Sequence, residues 1–189
     1  PVPEQKLPVY HSAEIAGGNP DHFYDSESRM VLAGQLSRVI DAEGPIADSA
    51  LFRKVTRAWG LARTGRRIEE LLRSLVPARV IKTTEGKTTF YWPEFSQPAH
   101  WKDFRVADDA NDSKRQLGEI CLEELANLAS FVLAEHGTTS VSELARTICR
   151  LQRIARTTSD SEMRIRKCLT NSCSGREFNI NGDTVMLRN

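Results

Sequence analysis

Residues 32–64 (LAGQLSRVIDAEGPIADSALFRKVTRAWGLART) lie over residues 125–157 (LANLASFVLAEHGTTSVSELARTICRLQRIART) without a gap, and roughly a third of the positions are identical. The matches include Leu32/Leu125, Val39/Val132, Gly44/Gly137, Ser49/Ser142, Leu51/Leu144, Arg53/Arg146, Arg57/Arg150 and a closing Ala-Arg-Thr. Apolar type persists at Ile40/Leu133, Val55/Ile148 and Leu61/Ile154. A repeat of this length is too long for a solenoid and fits a duplicated small domain. In a chain of 189 residues it points to two like units, with enough chain to bury a real core.

Within each copy the pattern predicts helix, turn, helix, turn, helix and hairpin. Leu32, Leu36, Val39 and Ile40 recur at helical spacing and place a first helix over about 27–42, stopped at Gly44 as its partner is at Gly137. Asp48 is positioned to cap a second helix over 49–59 that turns Leu51, Phe52, Val55 and Trp59 inward. In the second copy Ser140-Val-Ser-Glu143 has the spacing of a capping box. The third helices begin near Thr64 and near Ser159 or Asp160, burying Ile68, Leu71, Leu72 and Leu75 in one copy and Ile165, Cys168 and Leu169 in the other. Hairpins follow, around Glu85-Gly86 within residues 80–92 and around Asn181-Gly182 within residues 176–187. Three helices and a hairpin make a winged helix, a helix-turn-helix with a β-hairpin wing. The expected fold class is therefore α+β, mainly helical, as tandem winged-helix domains. The expected divisions are an extended lead-in over 1–26, a first winged helix over 27–93, a linker over 94–116 in which Trp101 and Phe104 anchor the chain, and a second winged helix over 117–189.

The net charge of +1 conceals segregation. Residues 1–31 hold five acids and two bases, whereas residues 53–82 hold nine bases and two acids. The chain turns acidic again over 94–124 and basic over 143–167, so the surface has charged faces. Most unusual is the start of the third helix, GLARTGRRIEELL, where Arg63, Arg66 and Arg67 sit at the positive end of a helix dipole that favours acids. A phosphate bound at that N-terminus would reverse the penalty. With Thr64, Lys54, Arg57, Arg73 and the hairpin's Lys82 and Lys87, these arginines form the candidate nucleic-acid surface of the first copy. In the second copy the candidates are Arg156, Arg164, Arg166 and Lys167, and Arg146, Arg150 and Arg153 carry the same sign. Asp160 and Glu162 dilute that helix start. The competing explanation is structural: an arginine stem covers apolar surface, and Arg53/Arg146 or Arg63/Arg156 could tie loops to acids.

No catalytic constellation is complete. Pro20-Asp21 and Glu85-Gly-Lys87 mimic fragments of a metal-dependent nuclease site but lie far apart in sequence. There is no phosphate-cradling Gly-Lys-Ser/Thr loop and no Gly-x-Ser-x-Gly. Cys121, Cys149, Cys168 and Cys173 form no C-x-x-C pair, so neither a metal site nor a cofactor is expected. Four cysteines in a chain this size suit a reducing, cytoplasmic setting. PVPEQKLPVY has neither an initiator Met nor a signal-peptide profile and reads as the start of a piece of a longer protein.

The run EGPIADSALFRKVTRAWGLARTGRRIEELL (43–72) joins an acid-Gly-Pro-Ile turn to an Arg and a Gly ending the second helix, then to Arg-x-Gly-x-Arg-Ile opening the third. Glu43, Gly44, Pro45, Ile46, Arg53, Gly60, Arg63, Gly65, Arg67 and Ile68 carry that pattern, followed by Phe90-Tyr91-Trp92-Pro93. It resembles a domain of unknown function that closes very large bacterial proteins related to superfamily I DNA/RNA helicases. Ala47 stands where that family often has His. The resemblance implies helicase motor domains, and often a nuclease-like domain, ahead of this segment, and assigns the segment no activity. The resulting expectation is a non-enzymatic module that binds DNA, duplex or forked, beside those domains. The alternative is a module for protein docking or self-association.

Overall fold

The structure is a computed structural model that describes residues 7–171 and 177–188, with Asn111 by its backbone alone. Cys173 lies outside the described residues. The chain divides into two units, Ser12–Ser96 and a second built from the segment up to His11 together with the chain from Gln97 onward.

In the N-terminal unit, the apolar positions spaced three and four apart form α1 (Ser28–Glu43), with Leu32, Leu36, Val39 and Ile40 fully buried. Gly44, extended ahead of Pro45, ends the helix, and only a residue without a side chain fits there. A Cβ there would lie 2.5 Å from the Ile40 carbonyl oxygen and 2.6 Å from Pro93 Cδ. A two-residue strand β1 (Ile46–Ala47) follows, then α2 (Asp48–Ala58), α3 (Arg66–Leu75), β2 (Lys82–Glu85) and β3 (Thr88–Tyr91). The sheet is antiparallel in the order β1-β3-β2, with Ile46 opposite Tyr91 and Lys82 opposite Tyr91 on its other side. The helices and sheet close over Leu51, Phe52, Val55, Trp59, Leu72 and Tyr91.

The C-terminal unit runs through the same order: α4 (Leu122–His136), β4 (Thr139–Ser140), α5 (Val141–Leu151), α6 (Ser159–Thr170), β5 (Phe178–Asn181) and β6 (Thr184–Leu187), with sheet order β4-β6-β5. The likeness extends to individual hydrogen bonds. At the end of α2, Gly60 has φ 74°, its N–H bonds the Arg57 carbonyl and the next N–H, of Leu61, bonds that of Thr56. At the end of α5, Arg153 has φ 53°, its N–H bonds the Arg150 carbonyl and that of Ile154 bonds Cys149. Both are Schellman stops with a left-handed residue just past the helix.

Several boundaries differ from those the sequence suggested. The short strands β1 and β4 were not anticipated, because two residues give no alternation to detect. Each hairpin turns one residue later than expected, on Gly86-Lys87 and Gly182-Asp183, with glycine first at φ 62°. That is the two-residue loop with glycine leading. Asp48 is the first helical residue and not the cap: its carboxylate accepts the Ser49 N–H at 2.9 Å and Arg73 as well. Ser140 does cap α5, accepting the Glu143 N–H at 3.1 Å, but Glu143 turns to Arg146 instead of closing a box.

The lead-in and linker are also more than connections. Phe23 is fully buried with its ring edge-on to Trp59 at 5.4 Å, and Gln35 joins the Ala16 carbonyl to the Trp59 indole N–H. Residues 12–26 thus belong to the N-terminal unit, with Phe23 in its core and Ile15 packed against it. Residues 7–11 belong to the other unit, where Val9 bridges Val106 in parallel. The linker wraps α4, whose residues 122–130 are buried on every side. Asn127 donates to the Trp101 and Asp103 carbonyls, and Phe104 packs on Phe131 at 5.2 Å. At the centre Glu124 receives both Arg105, at 2.7 Å, and Arg115, at 2.8 Å, and both guanidinia lie over the Tyr10 ring.

Two measurements check these assignments. Gly60→Ala should cost about 1 kcal/mol, because its φ of 74° strains any other residue. Gly34→Ala, in mid-α1 with nothing within 4 Å of the added Cβ, should gain about 0.5–1 kcal/mol. Urea unfolding reads both, and a shared sign would refute the account. The second concerns Glu124. Burial pushes its carboxyl up, but Arg115 and Arg105 outweigh burial and hold it down at about 2, below the ordinary 4.5. A depressed carboxylate stabilises the fold above its unfolded pKa, and that share is lost as pH falls from about 4.5 towards 2. Glu124→Gln should cost about 3–5 kcal/mol at neutral pH and flatten this acid dependence, read by denaturation at stepped pH.

Candidate nucleic-acid interface

The start of α3 follows from a missing cap. Gly65 occupies the cap position at φ −87° and ψ 169° and offers no side-chain acceptor, so the first-turn N–H groups open outward. Arg63, Arg66 and Arg67 are all exposed around that end, and Thr64 is half-buried. Arg67 lies over the Tyr24 ring at 4.3 Å, a cation–π contact that holds the guanidinium at the surface. Tyr24 was not among the sequence candidates, and an aromatic in a presumed lead-in gave no sign of it. Arg66 Nε donates to Glu70 at 2.8 Å, with 91% of the Arg66 side chain exposed. Such a surface pair contributes only tenths of a kcal/mol and exchanges readily.

Other candidates divide by partner. Arg57, Arg63, Lys82 and Lys87 are exposed and have no ion-pair partner among the described residues. Arg73 is exposed but committed: it donates to Asp48 at 2.9 Å and covers the Phe52 ring. Beside it, burial pushes the Tyr91 hydroxyl up against the pull of that cation. Arg73, Lys82, Thr84, Thr89 and Tyr91 line a cleft of about 430 Å³ between the end of α3 and the hairpin.

Lys54 is engaged within the unit. It turns inward to Glu43 at 2.5 Å and to Ser12, and Glu43 also accepts the Ala13 N–H. The carboxylate at the end of α1 is buried and requires a cation, which α2 supplies.

The second unit is arranged differently at the matching place. Thr158 caps α6 in a reciprocal pair with Ser161, and Asp160 and Glu162 occupy the first turn. The helix end is closed and acidic. Arg164 is turned onto the Leu117 and Ile120 carbonyls, holding the turn ahead of α4. Arg166 reaches Asp183 at 3.1 Å and the Gly182 carbonyl, tying α6 to the hairpin. Arg156 and Lys167 are exposed without a partner among the described residues.

The uncapped helix start, its arginines and the segment that carries Tyr24 fall within a stretch that matches a family model. Residues 21–70 match a family described as "Protein of unknown function (DUF3320)". The match runs from the turn before α1 through the first half of α3. No curated protein and no solved structure matches the chain. Among the described residues no group of three or more His, Cys, Asp and Glu could hold a metal ion, and no helix is long and apolar enough to cross a membrane. The two nuclease-like fragments sit in separate elements, Asp21 in a 3-10 turn and Glu85 at the end of β2.

The sorting of cations predicts a difference in stability. Lys54→Ala leaves the Glu43 carboxylate buried without its lysine and should cost about 2–3 kcal/mol. Arg57→Ala should stay within about 0.5 kcal/mol of the parent. Thermal unfolding of the two variants distinguishes them, and equal losses would contradict the sorting.

Proposed function

We propose that the chain is a tandem winged-helix module with no catalytic role, that its ligand is DNA, and that the N-terminal unit grips the phosphate backbone through α3 and the hairpin. The order of elements in each unit, with the first strand beside the last, supports the winged-helix reading. The observation that carries the ligand is the open N-terminus of α3. Its cap position has no side-chain acceptor, and exposed Arg63, Arg66 and Arg67 outnumber the single first-turn acid Glu69, while the corresponding end of α6 is closed by its own side chains. An uncapped, cationic helix start is an unfavourable local choice unless an anion completes it. Lys82 and Lys87 place the same sign on the hairpin. The resemblance of residues 43–72 to a segment of helicase-related proteins supports forked or duplex DNA as the form met.

Gly65→Asp separates binding from folding. The added carboxylate caps α3 at a suitable φ and ψ with open space around it, and should raise stability by about 0.5–1 kcal/mol. It also occupies the anion site, so affinity for a fluorescein-labelled duplex should fall more than about tenfold. The parent should bind in the micromolar range with a steep salt dependence, and replacing Arg63 and Arg67 with Ala should flatten the slope by about 2. An unchanged slope in both variants would reject the reading.

A second reading is favoured by Met30 and Val31, 84% and 52% exposed at the start of α1. Apolar side chains placed so openly suit a docking or self-association surface. Under that reading Met30→Lys with Val31→Lys would abolish assembly and leave DNA affinity unchanged.

A further inference from the structure

Three arginines of the C-terminal unit gather at the end of α5, on a cleft that reaches the loop just ahead of the α6 cap Thr158. Arg146, Arg150 and Arg153 line one open cleft of about 420 Å³, together with Ile154, Ala155 and Thr157. The three fall at i, i+4 and i+7, a single ridge about 10 Å long on or just past one helix face. Like charges at this spacing repel one another. Arg150 has no partner among the described residues. Arg146 pairs with the exposed Glu143, and Arg153 reaches Asp109 at 3.2 Å, an acid that is 94% exposed. Both pairs lie in water, where a stronger anion exchanges with them easily. Arg156, exposed and likewise unpartnered, follows directly on the loop.

A helix C-terminus favours a cation, and that accounts for Arg150. It does not account for Arg153. This residue stands at φ 53°, in the left-handed position where the N-terminal unit has Gly60 with the same two hydrogen bonds. Glycine fills that position without strain, and an arginine does not. Besides the solvent-exposed pair with Asp109, the conformational penalty places a third guanidinium in the cleft.

We infer that the cleft at the end of α5, lined by Arg146, Arg150 and Arg153, is a second nucleic-acid site that holds consecutive phosphates of a strand. The guanidinium forks suit phosphate oxygens, and the ridge is long enough for more than one. The site uses none of the residues assigned to the N-terminal unit and stands or falls independently of them.

The experiment uses the full chain and fluorescein-labelled single-stranded and duplex oligonucleotides at several salt concentrations. Arg153→Gly is the informative variant, because glycine suits the backbone there and the melting temperature should hold or rise. Its affinity should nonetheless drop severalfold, with the salt slope flatter by about 1. Arg150→Gln should do the same, and the two together should flatten the slope by about 2. These losses should persist when Arg63 and Arg67 are already Ala. Variants that fold like the parent and bind with its affinity and slope, in both backgrounds, would overturn the site. Failure of the Arg63 and Arg67 substitutions alone would instead remove the α3 interface and leave this one standing, and a parent that binds neither oligonucleotide would remove both.

Discussion

One carboxylate organises the C-terminal unit. Glu124 is almost wholly buried near the start of α4 and accepts from Arg105, from Arg115 and from the Arg105 backbone N–H at 3.0 Å. Those arginines sit on the stretch that wraps α4, and both lie over Tyr10. A lone buried carboxylate would be prohibitive, and two cations sharing one would be in excess; the aromatic face and the Arg105 carbonyl, which accepts from Arg115 at 2.9 Å and Gln152 at 2.7 Å, complete the balance. The N-terminal unit uses the same device in smaller form, Glu43 accepting Lys54 and the Ala13 N–H. In each unit, segments with little regular structure are fixed to a helix by an acid that cannot be left unpaired.

The helices were legible because each repeats its apolar residues with the period of a helix facing a core. Leu32, Leu36, Val39 and Ile40 sufficed for α1, and Ile68 and Leu72 for α3. The hairpins were legible from glycine between β-branched flanks, to within one residue. The irregular chain was not. Nothing in PVYHSAEIAGG announces that Tyr10 serves one unit while Ser12 and Ala13 serve the other. Nor does the polar composition of residues 94–116 show that Arg105 and Arg115 are core residues. Side-chain pairing across long separations leaves no periodic trace.

The candidate site divides in the same way. The excess of positive charge over 53–82 could be read directly, since it is local; the absent cap at Gly65 emerged only with the helix start fixed at Arg66. Which cations face solvent could not be read either. Lys54 and Arg57 lie within one turn of the same helix, yet one answers Glu43 and the other has no partner among the described residues. Arg164 and Arg166 are two residues apart, and one supports a turn while the other holds the hairpin. Charge in a sequence gives the sign of a face; burial of the opposing acid decides which members remain available to a ligand.

The parallel bridge between Val9 and Val106 gives the two units different histories during synthesis. Ser12–Ser96 is one unbroken stretch, so every residue the first unit needs has been made by the time Ser96 is added. The second unit opens with Tyr10 and its neighbours, which must wait through the whole of that stretch for Arg105, Arg115 and α4. Its closure depends on contacts far apart along the chain, which are the slow kind to form. A ribosome therefore completes the sequence of one unit early and leaves the other to be finished around a segment that came first.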